Sequence, residues 1–316
     1  MIEVYEGLGA VPNAFGPSVA TIGNFDGVHL GHREILSRCV DDAQSASATS
    51  VAVIFDPHPL RVVAPERAPL LMTTPQERSE RFEEIGLDAV LILPFDDALR
   101  NLSPEEFVER VLVRRLSAQQ VVVGRNFRFG RRHAGDVETL RELGARYGFE
   151  TDAVDEERNG GRVISSSAVR EAVASGDLSA ARRLLGATFR LRGGVIAGRG
   201  IGSKQTVPTL NLRPDTELLP ADGVYVSRTR SLDGPGCWRS VTNVGVRPTF
   251  GDSERVVETH LLDSLDGPAP ERIEIRFKRR LRPEKKFDRP EELRAQILED
   301  IGQAERYFRL LDAGGV

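Results

Sequence analysis

Residues Gly23-Asn24-Phe25-Asp26-Gly27-Val28-His29-Leu30-Gly31-His32 gather three glycines and two histidines between an apolar run at 19–22 and a segment of helical character at 33–43. A strand, a loop and a helix start in that order bring free backbone N–H groups and the positive end of the helix dipole to one point, which suits a phosphate. His29 and His32 are three apart, so their imidazoles share a face if the first helical turn begins near them. Gly31, without a side chain, lets a ligand approach the backbone closely. The imidazoles add donors that can neutralise charge growing on a phosphate during transfer. Taken alone, His-x-x-His also reads as a polar helix start with two solvated rings, or as a fragment of a metal site. The metal reading lacks further ligands at suitable spacing, and the complete pattern Gly-x-Phe-Asp-Gly-x-His-x-Gly-His favours a nucleotide.

The elements that must hold this loop are β-branched runs at 18–22, 50–55, 89–93, 120–123 and 150–154, each separated by a stretch with helical features. One such helix starts at Ser103-Pro104-Glu105-Glu106, with a serine cap, proline first and glutamate third. Strands alternating with helices make a parallel doubly wound sheet, an α/β Rossmann-like fold whose ligands bind beyond the carboxyl ends of the strands. The unusual residues do fall there. After the second run, two prolines stiffen Phe55-Asp56-Pro57-His58-Pro59, either as a rigid turn or as a ligand loop carrying Asp56 and His58. After the fourth, Gly124-Arg125-Asn126-Phe127-Arg128-Phe129-Gly130 can stack a ring and bond a base or phosphate, or its two aromatics can plug the sheet edge. After the fifth, Ser165, Ser166 and Ser167 stand at a helix start with Arg170 one turn later, which is a helix cap or a triphosphate clamp.

Composition sets the bounds. The 316 residues suit two cores, and 40% hydrophobic with 28% charged residues is ordinary for a globular protein. No apolar run is long enough to cross a bilayer and the start at Met1-Ile2-Glu3 is unlike a signal peptide, so a cytoplasmic protein without membrane partners is expected. The two cysteines, Cys39 and Cys237, lack metal or redox spacing and read as buried thiols. Net charge is −4; from residue 187 onward 22 Lys+Arg stand against 19 Asp+Glu, leaving +3 there and −7 before it. Neither half reads as a nucleic-acid binder. The runs Lys278-Arg279-Arg280 and Lys285-Lys286 read as a solvated strand end and turn.

A helix at 177–185 ended by Gly186 closes the first half. Beyond it, short runs at 189–197, 223–230, 238–243, 256–262 and 273–281, joined by turns such as Asp233-Gly234-Pro235-Gly236, argue an antiparallel barrel. Pro290 then opens a helix through about Leu311.

The stretch 23–32 resembles the His-x-Gly-His motif of the nucleotidyltransferase superfamily, and its Phe25-Asp26-Gly27 form is similar to that of bacterial bifunctional riboflavin kinase/FAD synthetases. Ile164-Ser165-Ser166-Ser167 with Arg170 resembles a second element of that superfamily. Residues 187–316 resemble the riboflavin kinase domain at 207–211, Asp222-Gly223-Val224-Tyr225, 243–250 and Val257-Glu258-Thr259-His260. The resemblance implies an FMN adenylyltransferase domain over 1–186 and a riboflavin kinase domain over 187–316. ATP and Mg²⁺ serve both reactions, riboflavin, FMN and FAD are the other partners, and no bound redox cofactor is required. It implies that His29 and His32 meet the α- and β-phosphates, and that Ser166, Ser167 and Arg170 meet the β- and γ-phosphates. Gly23, Phe25, Asp26, Gly27 and Gly31 complete the nucleotide loop, while Asn126, Phe127, Asp56, His58 and Arg247 face flavin. In the kinase half it gives Thr209 and Asn211 to Mg²⁺ and makes Glu258 the general base. One departure stands out: where the family commonly has Gly-Arg-x-x-Gly-x-Pro-Thr-Ala-Asn, this chain has Ser203, Thr206 and Leu210 in place of the arginine, second glycine and alanine. Lys204 is then the nearby nucleotide-binding charge, as a point charge in place of a fork. Two other readings follow from it, an adenylyltransferase with weak or lost kinase activity and a non-catalytic flavin-binding regulator.

Overall fold

The computed structural model describes residues 1–196, 209–248 and 253–314, and the chain packs as two units, Met1–Ser166 and Ser167–Val316. In the first, strands β1 (Glu3–Glu6), β2 (Ser18–Ile22), β3 (Thr49–Asp56), β4 (Ala89–Pro94), β5 (Ala118–Gly124) and β6 (Glu150–Val154) form one parallel sheet in the order β1-β4-β3-β2-β5-β6. All five residues of β2 are buried, as a strand covered on both faces requires. Alternate side chains feed opposite layers. Ala20, Ile22, Val51, Val53 and Leu91 join one apolar cluster, whereas Ala52, Ile54 and Val90 pack on Leu36 and Val40 of helix α1 (Leu30–Ala46).

From β2 the chain steps to β3 and β4 on one side, then crosses to β5 and β6 on the other. The carboxyl ends of β2 and β5 therefore flank the switch point at which open α/β sheets bind ligands. Helix α2 (Pro59–Val63) follows β3, and α3 (Pro75–Ile85) precedes β4, started by a Thr74/Glu77 capping box with Pro75 first. After α4 (Asp97–Arg100), α5 (Pro104–Phe107) starts on Ser103 with the expected reciprocal Glu106 bond and runs on as a π-helix over Val108–Val113. Helix α6 (Val137–Tyr147) and a small hairpin, β7 (Arg158–Asn159) with β8 (Arg162–Val163), lead to α7 (Ser166–Ser175). Strand β1 is absent from the sequence expectation. Three of its four residues are exposed, and a short polar edge strand has no alternation for a sequence to display.

In the second unit α7 and α8 (Leu178–Leu185) precede a closed antiparallel barrel. Asp177 caps α8 through its carboxylate and Gly186 ends it in the left-handed region. The barrel strands are β9 (Arg190–Ile196), β10 (Thr209–Pro214), β11 (Gly223–Ser231), β12 (Cys237–Pro248), β13 (Ser253–Leu261) and β14 (Arg272–Pro283), in the order β10-β13-β12-β11-β14-β9. Helix α9 (Pro290–Asp312) lays Ala304 and Phe308 on Val224, Val226 and Val241. The Arg282 guanidinium fixes it further by forking onto buried Asp300 at 2.8–3.1 Å.

Two sequence expectations need correction here. Residues 209–214 form a strand that is absent from the runs read in the sequence. The basic run at 278–280 lies in the last part of β14, in keeping with the expected strand end, with Arg280 donating to the Asp222 carbonyl at 2.7 Å. Cys237 is exposed; only Cys39 is buried, and burial pushes its thiol up to about 12. The barrel interior is also partly polar. Ser227, Thr229, Ser240, Thr242 and Thr259 are fully buried and satisfy one another at 2.7–3.1 Å, so that their hydroxyls carry no desolvation penalty left unpaired.

Glu274, fully buried, ties three strands together. It accepts from Arg192 at 2.7 Å, Arg230 at 2.9 Å and Arg276 at 2.7 Å, with Arg190 at 3.3 Å. Burial opposes its ionisation, yet the bonds from Arg192 and Arg276 and the field of Arg190 prevail and bring its pKa from 4.5 to about 2. A pKa depressed by folding stabilises the protein fully above the ordinary carboxylate range, and this contribution of about 3 kcal/mol is lost as pH falls. Wild-type protein should therefore lose barrel stability between pH 4.5 and about 2, followed as the unfolding midpoint at each pH. Glu274→Gln should be less stable by about 3 kcal/mol at pH 7 and lack this acid step; an unchanged acid step in the variant would refute the assignment.

Candidate active sites

The loop after β2 runs against ordinary backbone preference. Phe25 has φ 48°, Gly27 84° and Val28 45°, and a β-branched residue in the left-handed region costs about 1–3 kcal/mol unless its surroundings enforce it. They do. Phe25 and Val28 are buried at 2% and 0% exposure in the α1/α3 layer. The buried Asp26 carboxylate accepts from the Met72 N–H at 3.0 Å, the Thr73 N–H at 3.0 Å and the Thr73 hydroxyl at 2.9 Å. Gly27 N–H donates to the Thr73 hydroxyl at 3.1 Å. From α3, Arg78 and Arg81 donate to the carbonyls of Asn24 and Gly27, each at 2.6 Å, and the Ser166 hydroxyl donates to the Asp26 carbonyl at 3.0 Å. Arg78 is 3% exposed; burial lowers its pKa, opposed by Asp26, Asp56 and Glu77. Asn24, Thr73, Arg78 and Arg81 are site-building residues that the sequence reading missed. Their one signal is the pair of arginines three apart behind the Thr74/Glu77 capping box.

Fixing the loop fixes the helix start. His29 caps α1: its Nδ1 accepts from the His32 N–H at 3.2 Å. With Nδ1 accepting, the neutral ring carries its proton on Nε2, which is thereby a donor. The His32 ring stacks on that of His29 at 3.5 Å and 19°, and Phe25 meets His32 edge-on at 5.2 Å. The protein itself does not need glycine at 31. Its φ is not in the left-handed region, and an added Cβ would meet only His29 Cε1 at 3.4 Å, His29 Nδ1 at 3.5 Å and Glu157 Cβ at 3.6 Å, all ordinary contacts. The missing side chain keeps the backbone beside the imidazoles approachable.

The structure also places the remaining sequence candidates that precede the barrel. Asp56 is exposed at the end of β3. His58, 8% exposed, caps α2 by accepting from the Leu60 N–H at 3.2 Å, and its Nε2 lies 3.2 Å from the Asn24 amide. It therefore braces the same loop from the β3 side. Asn126 is exposed and donates to Glu156 at 3.3 Å. Phe127 stacks on Phe129 at 5.4 Å and packs against the sheet core, so its ring is half committed to structure. Ser167 is exposed on the first turn of α7 and Arg170, half-buried, stands one turn on.

A different device builds the second site. In the barrel, β13 lies between β10 and β12, and the register sets Thr209 opposite His260 and Asn211 opposite Glu258. Asn243 is opposite Glu258 on the other side. Leu210, Leu212, Val257 and Thr259 fill the interior, so alternation puts Thr209, Asn211, Glu258 and His260 together on the outer face. The Thr209 hydroxyl lies 2.8 Å from His260 Nδ1. Burial lowers the His260 pKa, leaving the ring neutral at pH 7 with one nitrogen as acceptor. Two neutral oxygen donors beside a carboxylate fit Mg²⁺, which takes few protein oxygens and completes its shell with water and phosphate. Among the described residues no group of three His, Cys, Asp or Glu gathers to hold a metal by itself. Arg247 is paired with Glu254 in the β12–β13 ladder, and Lys204 lies outside the described residues.

Comparison with known proteins matches each half separately. Residues 12–168 fit the FAD synthetase family and 185–308 the riboflavin kinase family. A bifunctional riboflavin kinase/FMN adenylyltransferase of Pseudomonas fluorescens is 39% identical over 287 residues, 90% of this chain and 91% of its own. That of Escherichia coli (strain K12) is 35% identical over 292 residues, 92% of this chain and 93% of its own. A crystal structure from Streptococcus pneumoniae, of a protein named for macrolide efflux, superposes with TM-score 0.85 at 26% identity, over 96% of this chain and 99% of that one. Among the described residues of this chain, no helix is long and apolar enough to cross a membrane. Matched in both halves and over nearly its whole length, the chain belongs to the bifunctional riboflavin kinase/FMN adenylyltransferase family.

Proposed function

We propose that this chain carries out both reactions of its family as two ATP-dependent steps in the cytoplasm. A kinase domain at 187–316 phosphorylates riboflavin to FMN, and an adenylyltransferase domain at 1–186 joins FMN to AMP. The observation that carries the reading is the strained 24–28 loop, pinned so that His29, His32 and the first N–H groups of α1 meet at the sheet's switch point. A protein that only bound flavin would gain nothing from that strain.

In the adenylyltransferase step a phosphate oxygen of FMN attacks the α-phosphorus of ATP, the bond to the β-phosphate breaks, and pyrophosphate leaves. Both partners are anionic, so catalysis consists of alignment and charge neutralisation, with no covalent enzyme intermediate. His29 donates from Nε2, with His32 stacked behind it, toward the α- and β-phosphates. Ser166, Ser167 and Arg170 serve the β- and γ-phosphates, and Asn126 the flavin nucleotide. Gly23, Phe25, Asp26 and Gly27 shape the loop, with Asp26 acting through Met72 and Thr73. Asp56, His58 and Phe127 are the proposed flavin contacts of this domain, and Arg247 is that of the kinase domain. In the kinase step Glu258 takes the proton of the terminal ribityl hydroxyl as its oxygen attacks the γ-phosphorus and ADP leaves. Thr209 and Asn211 would hold Mg²⁺, which would supply neutralisation of phosphate charge, and Lys204, five residues before Thr209 in sequence, would add a positive charge. No bound redox cofactor takes part.

Chromatography of the flavins formed from riboflavin, and separately from FMN, with ATP and Mg²⁺ tests the assignment. FAD should form from both. Glu258→Gln should cut FMN formation by about a hundredfold or more and leave FAD formation from FMN intact; His29→Ala should do the converse, by about a hundredfold. Loss of both activities in either folded variant would contradict two independent sites. Asp26→Ala removes the acceptor of two buried N–H groups and should destabilise the first unit by roughly 2–3 kcal/mol. Its FAD formation should fall while FMN formation persists, and full FAD formation at wild-type stability would show that the loop holds itself.

A further inference from the structure

His260 has no part in the chemistry above, yet its Nδ1 lies 2.8 Å from the hydroxyl of Thr209. Their pairing is dictated by the β10–β13 register, which places them directly across from one another and one pair removed, on the same face, from Asn211 and Glu258. A threonine hydroxyl that gives a lone pair to a cation must send its proton elsewhere. If it turned that proton inward it would repel the metal, and if a neighbouring N–H donated to the oxygen, that donor would compete with the metal for the lone pairs. One rotor therefore decides whether the site is open to a cation.

We propose that His260 is a positioning residue of the kinase site: in the Nε2–H tautomer its Nδ1 accepts the Thr209 hydroxyl proton and holds the oxygen's lone pairs toward the cation. This rests on the reading of Thr209 as a Mg²⁺ ligand, and it adds a residue, a tautomer and a direction to that hydrogen bond. The imidazole is well suited to the task. It is anchored near the end of β13 between fully buried Thr259 and Leu261 at 1% exposure, so the ring loses little further freedom on fixing the hydroxyl.

The tautomer is read directly on the wild-type enzyme without metal or nucleotide, from the two-bond proton–nitrogen correlations of its histidine rings. The chain has five histidines, and the His260 signals are those missing from His260→Asn. A bare Nδ1 with a protonated Nε2 is expected; a protonated Nδ1 overturns the proposal. The second arm is the Mg²⁺ concentration giving half-maximal FMN formation. It should rise about tenfold in His260→Leu, with KM for riboflavin unchanged, and return to within about threefold in His260→Asn, whose Oδ1 takes the place of Nδ1. FAD formation from FMN is the internal control and should not move. Should Thr209→Val raise the Mg²⁺ requirement while His260→Leu does not, the positioning role falls and the metal reading stands. Should neither variant change it, the metal reading itself is wrong and the proposal falls with it.

Discussion

A single buried carboxylate holds the first site in shape. Asp26 reaches across to the chain before α3 and takes hydrogen bonds from two backbone N–H groups and one hydroxyl of Met72 and Thr73. Without that anchor the residues on either side, Phe25 and Val28, have no reason to remain at positive φ. Strain of this kind persists only where the surroundings over-determine it, and here the surroundings are specific. Two arginines of α3 hold the loop's carbonyls, two apolar side chains fill the layer beneath, and a serine closes on the Asp26 carbonyl. What results is a helix start whose first residue is an imidazole. The dipole, the N–H groups and the ring then act on one point because none of them can relax away from it.

Glu274 plays the corresponding part in the barrel, with the charges reversed in number: one carboxylate among four guanidinium groups. It binds β9, β11 and β14, and β9 in turn pairs with β10. The barrel thus fixes register with an ion cluster, and that register sets Thr209 and Asn211 across from His260 and Glu258. The interior hydroxyl network serves the same end. Thr259 sits between Glu258 and His260 in sequence and bonds inward to Thr229 and Thr242, which keeps that strand from slipping. A slip of one residue would turn Glu258 and His260 into the core.

Much of this was legible in the sequence, for identifiable reasons. The β-branched runs declared the parallel sheet because strands covered on both faces must be apolar throughout. Helix starts at Ser103 and Asp177 and the stop at Gly186 were visible because capping is local chemistry. What stayed hidden depends on contacts distant in sequence. Strand β1 borrows its order from β4, and β10 went unread because its order comes from β9 and β13. Nothing in the sequence shows that the Asp26 carboxylate accepts from Met72 and Thr73, 46 and 47 residues later. Arg78 and Arg81 carry no mark of their target 54 residues earlier. Polar residues at interior positions, Ser227 and Thr242 among them, blur the alternation that would otherwise have given the barrel's register.

The two devices differ because the two reactions ask for different things. Joining two phosphates needs no base, since the attacking oxygen is already anionic; what limits it is charge, and a rigid cluster of donors at a helix start supplies the answer. Phosphorylating an alcohol needs a proton removed at one atom while charge is neutralised a few ångströms away. Adjacent positions on paired strands offer that spacing, with side chains about 5 Å apart and little freedom to drift. A loop as strained as that of residues 24–28 would be a poor carrier for such a base, because any relaxation would move it off the hydroxyl. A strand pair would be an equally poor phosphate cradle, because its N–H groups are already spent on the ladder. The sequence carries both solutions because neither backbone can do the other's work.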